Sequence, residues 1–255
     1  MHSSSRLLLI MGLLFPSFAG CTKNSEKPEM VHIEAGEFWM GCDENTDKEC
    51  LDIEKPGRLI NLAAFSIDRS EVTTKAYKSC VEAGGCSEPQ SGMLLNWNNP
   101  ARDDHPINGV TWSQAKAYCK WAGKRLPSEA EWEKAARGTD RRLYPWGNQK
   151  PDCSRAVISE GRNKAGCGSS TTSPVCSKPE GHSPYGLCDM GGNVSEWVED
   201  TWSLYGKEAD TQLQGFRIRR GDSYESSPGK YSRLSFRLQT TAESAARYGG
   251  FRCAK

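Results

Sequence analysis

GVTWSQAKAYCKWAGKRLPSEAEWEKAARG, residues 109–138, holds two helices in tandem. Each opens on a capping box, Thr111 with Gln114 and Ser128 with Glu131, in which the N-cap hydroxyl and the side chain three residues on satisfy each other's free backbone N–H. Gly123 and Gly138 end the helices, since glycine takes the terminating conformation without steric cost. On the first helix Ala115, Tyr118, Cys119 and Ala122 recur at helical spacing and share an inward face. That face carries Cys119 toward the segment around Cys253. Trp112, Trp121, Trp132 and Trp146 read as core, because buried indoles supply apolar area to a chain with few long periodic segments.

Upstream, VHIEAGEFWMG (31–41) alternates as a strand ending in a glycine turn, and LINLAAFSIDRSEVT (59–73) reads as a second strand running into a helix start. Thr73 is the expected N-cap of a helix from Thr74 to Ala83 that stops at Gly84 and Gly85. Residues 31–255 form one domain, with no internal repeat and no low-complexity run. Lys and Arg number 33 against 32 Asp and Glu, a net charge of +1, so no charge excess argues for nucleic acid or an anionic membrane surface.

The N-terminus reads as a targeting segment. His2 and Arg6 precede an apolar run, Leu7 to Phe15, far short of the roughly 20 residues a spanning helix needs. Residues 1–20 are therefore a signal peptide. Phe18, Ala19 and Gly20 before Cys21 resemble a bacterial lipobox, making Cys21 the lipidation site; a plain secretory cut near Ala19 is the alternative. Residues 21–30 form a polar tether. Thr22 after the cysteine resembles lipoproteins sorted to an outer membrane, which places the chain in the bacterial envelope, facing the periplasm or the outside.

Of eleven cysteines, ten remain after Cys21, and in an oxidising compartment an even number points to disulfides. Spacing proposes Cys42 with Cys50, Cys80 with Cys86, Cys153 with Cys167, Cys176 with Cys188, and Cys119 with Cys253. The last closes a long loop, contributing on the order of 4 to 5 kcal/mol by loop-closure entropy. Zinc is the competing use of paired cysteines, but no Cys-x-x-Cys occurs and the mature chain holds only His32, His105 and His182.

The tandem helices, YPWGN (144–148), SPYGLCDMGGNVSEWVED (183–200), RGDSY (220–224) and GGFRCA (249–254) occur in the order of the formylglycine-generating enzyme, or sulfatase-modifying factor, family. The resemblance covers residues 31–255. It implies an α+β fold related to C-type lectins, with little regular secondary structure, rich here in disulfides, and with a structural calcium. Asp189 and Glu196 match the family's calcium site, with the carbonyls of Gly192 and Val194 between them; hard oxygens at both ends of a glycine turn suit that ion. The alternative is that Glu196 pairs with an arginine. The second calcium site looks lost in CSRAVISEGRNKAGC (153–167), where Cys153 and Cys167 stand near the expected ligands.

Residues 220–237, RGDSYESSPGKYSRLSFR, decide the activity. Copper oxidases of this family carry two cysteines shortly after an Arg-Gly-Gly-Ser stretch, which bind Cu(I) as soft thiolates. Here Asp222 replaces a glycine, Ser226 stands where the first cysteine is expected, and no cysteine lies between Cys188 and Cys253. Serine hydroxyls do not replace thiolates on Cu(I), so no copper centre is expected. A nucleophilic Ser223 or Ser226 needs a base, and no histidine is near in sequence. We expect Asp222, Ser223, Ser226, Arg233 and Arg237 to form a recognition groove for an envelope protein or peptide, with a binding or structural role. The alternatives are that the arginines pair with internal acids, and that the chain is an oxidase or tailoring enzyme acting on a protein or peptide.

Overall fold

A computed structural model describes residues 29–207, 213–229 and 231–255. The signal peptide, Cys21 and the tether up to residue 28 lie outside the described residues. The first expected strand is two, β1 (Met30–Ile33) and β2 (Gly36–Met40), because Gly36 at φ +136° takes a conformation that L side chains rarely adopt and breaks the run. The second also divides, into β3 (Arg58–Leu62) and β4 (Phe65–Asp68). β1 pairs antiparallel with β4, Ile33 opposite Phe65, and β2 with β3, Phe38 opposite Ile60.

Helix α1 (Thr74–Glu82) starts as expected: the Thr73 hydroxyl accepts from the Ala76 N–H at 3.1 Å. It ends one residue early, with Ala83 as its C-cap. Helices α2 (Trp112–Trp121) and α3 (Glu129–Arg137) both carry the complete capping boxes. Gly123 and Gly138 follow at φ +73° and +74°. Ala115, Tyr118 and Cys119 are buried, while Ala122 is half-buried. α3 buries more charge than apolar surface, with Glu129, Glu133, Lys134 and Arg137 beside Trp132.

Four strands complete the sheet: β5 (Ser195–Thr201), β6 (Phe216–Arg220), β7 (Arg237–Thr241) and β8 (Gly249–Phe251), in the order β7-β6-β5-β8. β6 is antiparallel to β5 and to β7, and β8 runs parallel to β5. One apolar core, with Ile33, Ile67, Trp132, Leu187, Val198 and Ile218, lies between α3, this sheet and the β1–β4 pair. Another joins α1 and α2 to β8, where the rings of Tyr118 and Phe251 meet edge to face at 5.4 Å. Of the four helix and loop tryptophans expected in the core, Trp132 alone is fully buried. Trp112 is half-buried because Lys116 and Arg217 stand over its ring, at 4.7 and 4.5 Å, and its Nε1–H donates to the Val198 carbonyl. Trp121 and Trp146 are likewise half-buried.

All five disulfides form as the spacing proposed. Cys119–Cys253 spans 134 residues and ties α2 to the chain just after β8. No helix among the described residues is long and apolar enough to cross a membrane.

Candidate functional site

The chain leaves β6 at Arg220 and turns at Gly221, whose φ is +77° and whose added Cβ would meet Trp132 at 3.1 Å. Arg220 points inward. Its Nη1–H donates to Glu129 at 2.9 Å, and its Nη2–H to Glu133 at 2.5 Å and to the Leu234 carbonyl at 2.6 Å. Arg237 holds Glu129 from the other side, Nε to Oε1 at 2.6 Å and Nη2 to Oε2 at 2.8 Å, beneath the Tyr205 ring at 3.9 Å. Arg233 grips Glu54 through both terminal nitrogens, at 2.8 and 2.9 Å, and Asp47 at 2.6 Å.

Arg233 and Arg237 therefore do not line a groove, as expected of them; each is 2% exposed. Glu54, Glu129 and Glu133 are buried, and a buried carboxylate without a cation costs several kcal/mol. That cost draws the arginines inward and fixes β7 over α3. For Arg233, burial opposes the charged form, but Glu54 and Asp47 outweigh it and hold its pKa above the usual arginine value.

The turn from Asp189 to Glu196 is organised by Arg252 of β8's C-terminal flank. Its Nε–H and one Nη2–H grip the Glu196 carboxylate, both at 2.7 Å. The remaining donors reach the carbonyls of Asp68, Arg69 and Cys188 at 3.0, 2.9 and 2.8 Å. All five N–H groups of this buried arginine are thus used. Glu196 also accepts from Trp132 Nε1 at 2.8 Å.

Asp189 accepts the Cys176 N–H at 2.7 Å, and burial pushes its carboxyl up to about 6. Glu71, which the sequence reading missed, accepts from the Val194 N–H at 3.1 Å and from the Asn193 side chain at 2.9 Å. Calcium wants about six to eight free oxygens. Glu196 faces the Arg252 guanidinium, which supplies positive charge at this end of the turn. Among the described residues, the one grouping of three His, Cys, Asp or Glu ligand atoms within 4.8 Å is Cys42, Cys50 and Glu54, and its two sulfurs are joined in a disulfide.

Beyond Gly221 a cavity of about 440 Å³ opens. Asp222, Ser223, Ser226, Tyr231, Phe236 and Tyr248 are among the residues that line it. The Tyr231 and Phe236 rings meet edge to face at 5.1 Å, with Tyr231 half-exposed at the mouth. Asp222 is 3% exposed. Its Oδ1 accepts the Ser223 N–H at 2.9 Å and its Oδ2 the Ser232 hydroxyl, and Ser226 is near enough to lower its pKa. The Ser223 and Ser226 hydroxyls lie 3.0 Å apart. Burial raises the Asp222 pKa, and these hydrogen bonds pull it back only in part.

Asp222, Ser223 and Ser226 thus come together as expected, without the arginines. The aromatic lining was not read from the sequence. Tyr231 and Phe236 sit in a loop without periodicity, and the available signal was Tyr248 immediately before GGFRCA.

The likenesses to known proteins agree with this geometry. A formylglycine-generating enzyme of Bos taurus is 34% identical over 90% of this chain and 75% of its own. An inactive C-alpha-formylglycine-generating enzyme 2 of the same species is 33% identical over 99% of this chain and 96% of its own. The solved structure of PvdO from Pseudomonas aeruginosa superposes with a TM-score of 0.73 at 26% identity, covering 89% of this chain and 94% of that one. Residues 16–255 match the family described as sulfatase-modifying factor enzyme 1-like domain, and the chain belongs to that family.

Proposed function

We propose that the chain is a non-oxidising recognition protein, which binds its ligand in the cavity beside Asp222. One observation carries the reading: the cavity wall presents hydroxyls and a carboxyl, and the ten cysteines among the described residues are all in disulfides. Cu(I) prefers soft thiolates, and the donors here are hard. A relative over nearly the whole chain whose name calls it inactive is consistent with this.

The test is oxidation of a cysteine-containing peptide in the presence of Cu(I) and oxygen. No aldehyde should form, and copper should be removed by desalting. Stoichiometric copper retention together with aldehyde product would overturn the reading. A second reading, a tailoring enzyme, is favoured by Asp222 and Ser226 lining one cavity, a carboxyl with a hydroxyl near enough to lower its pKa. It requires turnover that disappears in Ser226→Ala.

In this reading the domain is held to the bacterial envelope through Cys21, and its partner is an envelope protein or peptide. Cys21→Ser should release it from the membrane fraction; retention there would place the anchor elsewhere. Calcium held by Asp189, Glu196 and the carbonyls of Gly192 and Val194 belongs to this reading, and a chelator should lower the melting temperature; an unchanged value would show that Arg252 alone supplies the charge at Glu196.

A further inference from the structure

Among the described residues the buried charges are paired almost throughout. Glu54 and Asp47 have Arg233, Glu129 and Glu133 have Arg220, Asp68 has Lys124, Asp43 has Arg141 and Glu196 has Arg252. Glu71, Asp189 and Asp200 stand outside these pairs, but Arg252 lowers the pKa of the first two and Arg237 that of the third. Asp222 differs. It is 3% exposed, no cation among the described residues pairs with it, and what holds it is the Ser223 N–H and the Ser232 hydroxyl. Among the described residues no cation, paired or nearby, acts on the Asp222 carboxyl, and Asp222 lines a cavity.

The rest of that lining names the complement. Among the described residues that line the cavity, Asp222 is the only Asp, Glu, Lys, Arg or His. Tyr231, Phe236 and Tyr248 line the same cavity, and aromatic rings attract a cation and accept an apolar body. Arg219, buried without a carboxylate, lies over the Tyr248 ring at 5.0 Å and the Trp197 ring at 4.8 Å and does not line the cavity. The volume, about 440 Å³, suits a small molecule or one long side chain.

We propose that the cavity binds a protonated amine carried on an apolar or aromatic body, with Asp222 as its counter-ion and the aromatic rings against its body. This rests on the binding reading above and gives the ligand its chemical class. The amine belongs either to a free small molecule or to a lysine side chain of a peptide. Both present the same group, and the arms of the test separate them.

The experiment titrates the full chain at neutral pH with 2-phenylethylamine, with its neutral analogue 2-phenylethanol, and with a blocked lysine tripeptide. We expect the amine to bind at least about tenfold more tightly than the alcohol, the margin of one charge-assisted contact. Binding stronger for 2-phenylethylamine identifies a free amine, and binding stronger for the tripeptide identifies a lysine side chain. Asp222→Asn should weaken the amine by about ten- to a hundredfold and leave the alcohol unchanged. Its melting temperature should hold or rise, since an unpaired buried carboxylate is removed. Equal affinity of wild type for amine and alcohol overturns the proposal and leaves a binding cavity of another specificity. Undiminished amine binding by folded Asp222→Asn overturns it too, as does saturation by neither amine nor tripeptide up to about 10 mM. Failure of the binding reading itself would appear separately, as aldehyde product in the copper assay.

Discussion

Arg220 and Arg237 share Glu129, and Arg220 also holds Glu133, each contact at 2.9 Å or less, whereas at the cavity Asp222 meets only a hydroxyl and one N–H among the described residues. Both regions draw on the same stretch, residues 220–237. Three arginines from it serve the interior and one acid from it faces the cavity. The difference is one of desolvation. A charge buried against its partner repays part of the cost of leaving water, while a charge buried alone repays none until a ligand supplies the partner. Internal pairing marks the scaffold here, and missing pairing marks the site.

The largest effect should come from the covalent clamp that lies under both regions. Replacing Cys119 and Cys253 together with serine should lower stability by about 5 kcal/mol on the chain-entropy account for a loop this long. Urea unfolding with the other disulfides intact measures it, and a loss below about 1 kcal/mol would show that the two regions stand without the clamp. Next comes Arg220→Leu, which takes one cation from two buried glutamates, leaving Glu129 with Arg237 and Glu133 with Arg137, and should cost about 3 kcal/mol. Should that variant keep its stability, the contrast between paired interior and unpaired wall would fail at its root. Ser128→Ala removes the capping hydroxyl of α3, the helix that supplies both glutamates, and should cost about 1 kcal/mol, read as a shifted midpoint with an unchanged slope.

The smallest effect on stability should be that of Asp222→Asn, and pH resolves it. Burial raises the Asp222 pKa above the ordinary 3.8, so over the interval between the two values the folded state holds a proton that the unfolded chain has released. This group therefore favours the fold on the acid side, and its contribution is lost as pH rises through the folded value. Stability of wild type measured against Asp222→Asn should fall from acid toward neutral pH and then level off. A difference that grew with pH instead would mean that Asp222 has a cationic partner in the fold. Amine binding should run oppositely, weakening as Asp222 takes up its proton.

Much of the scaffold was legible because its signals are local. Thr73, Thr111 and Ser128 are caps whose partners lie three residues away, and Gly123 and Gly138 end helices through their own backbone freedom. The broken strands were misread because the alternation in residues 31–41 continues across the Glu34–Ala35 turn, and hydrophobic pattern alone does not report a glycine's φ. The disulfide pairs followed from spacing, and the absence of cysteine between Cys188 and Cys253 is a plain fact of the chain.

Where each charge points was settled only by tertiary structure. Arg233 lies 179 residues from Glu54, Arg237 lies 108 from Glu129, and Arg252 lies 56 from Glu196. No periodicity in sequence links such partners, because each pair depends on how strands and helices pack. The sequence determined that this chain has the family's helices, clamps and motifs and lacks the thiols. Packing decided that its arginines neutralise buried glutamates, that an arginine stands at the turn where calcium was expected, and that Asp222 is left at a cavity that aromatic rings also line. A side chain's burial, and with it the cost of its charge, is set by neighbours that the linear chain does not place beside it.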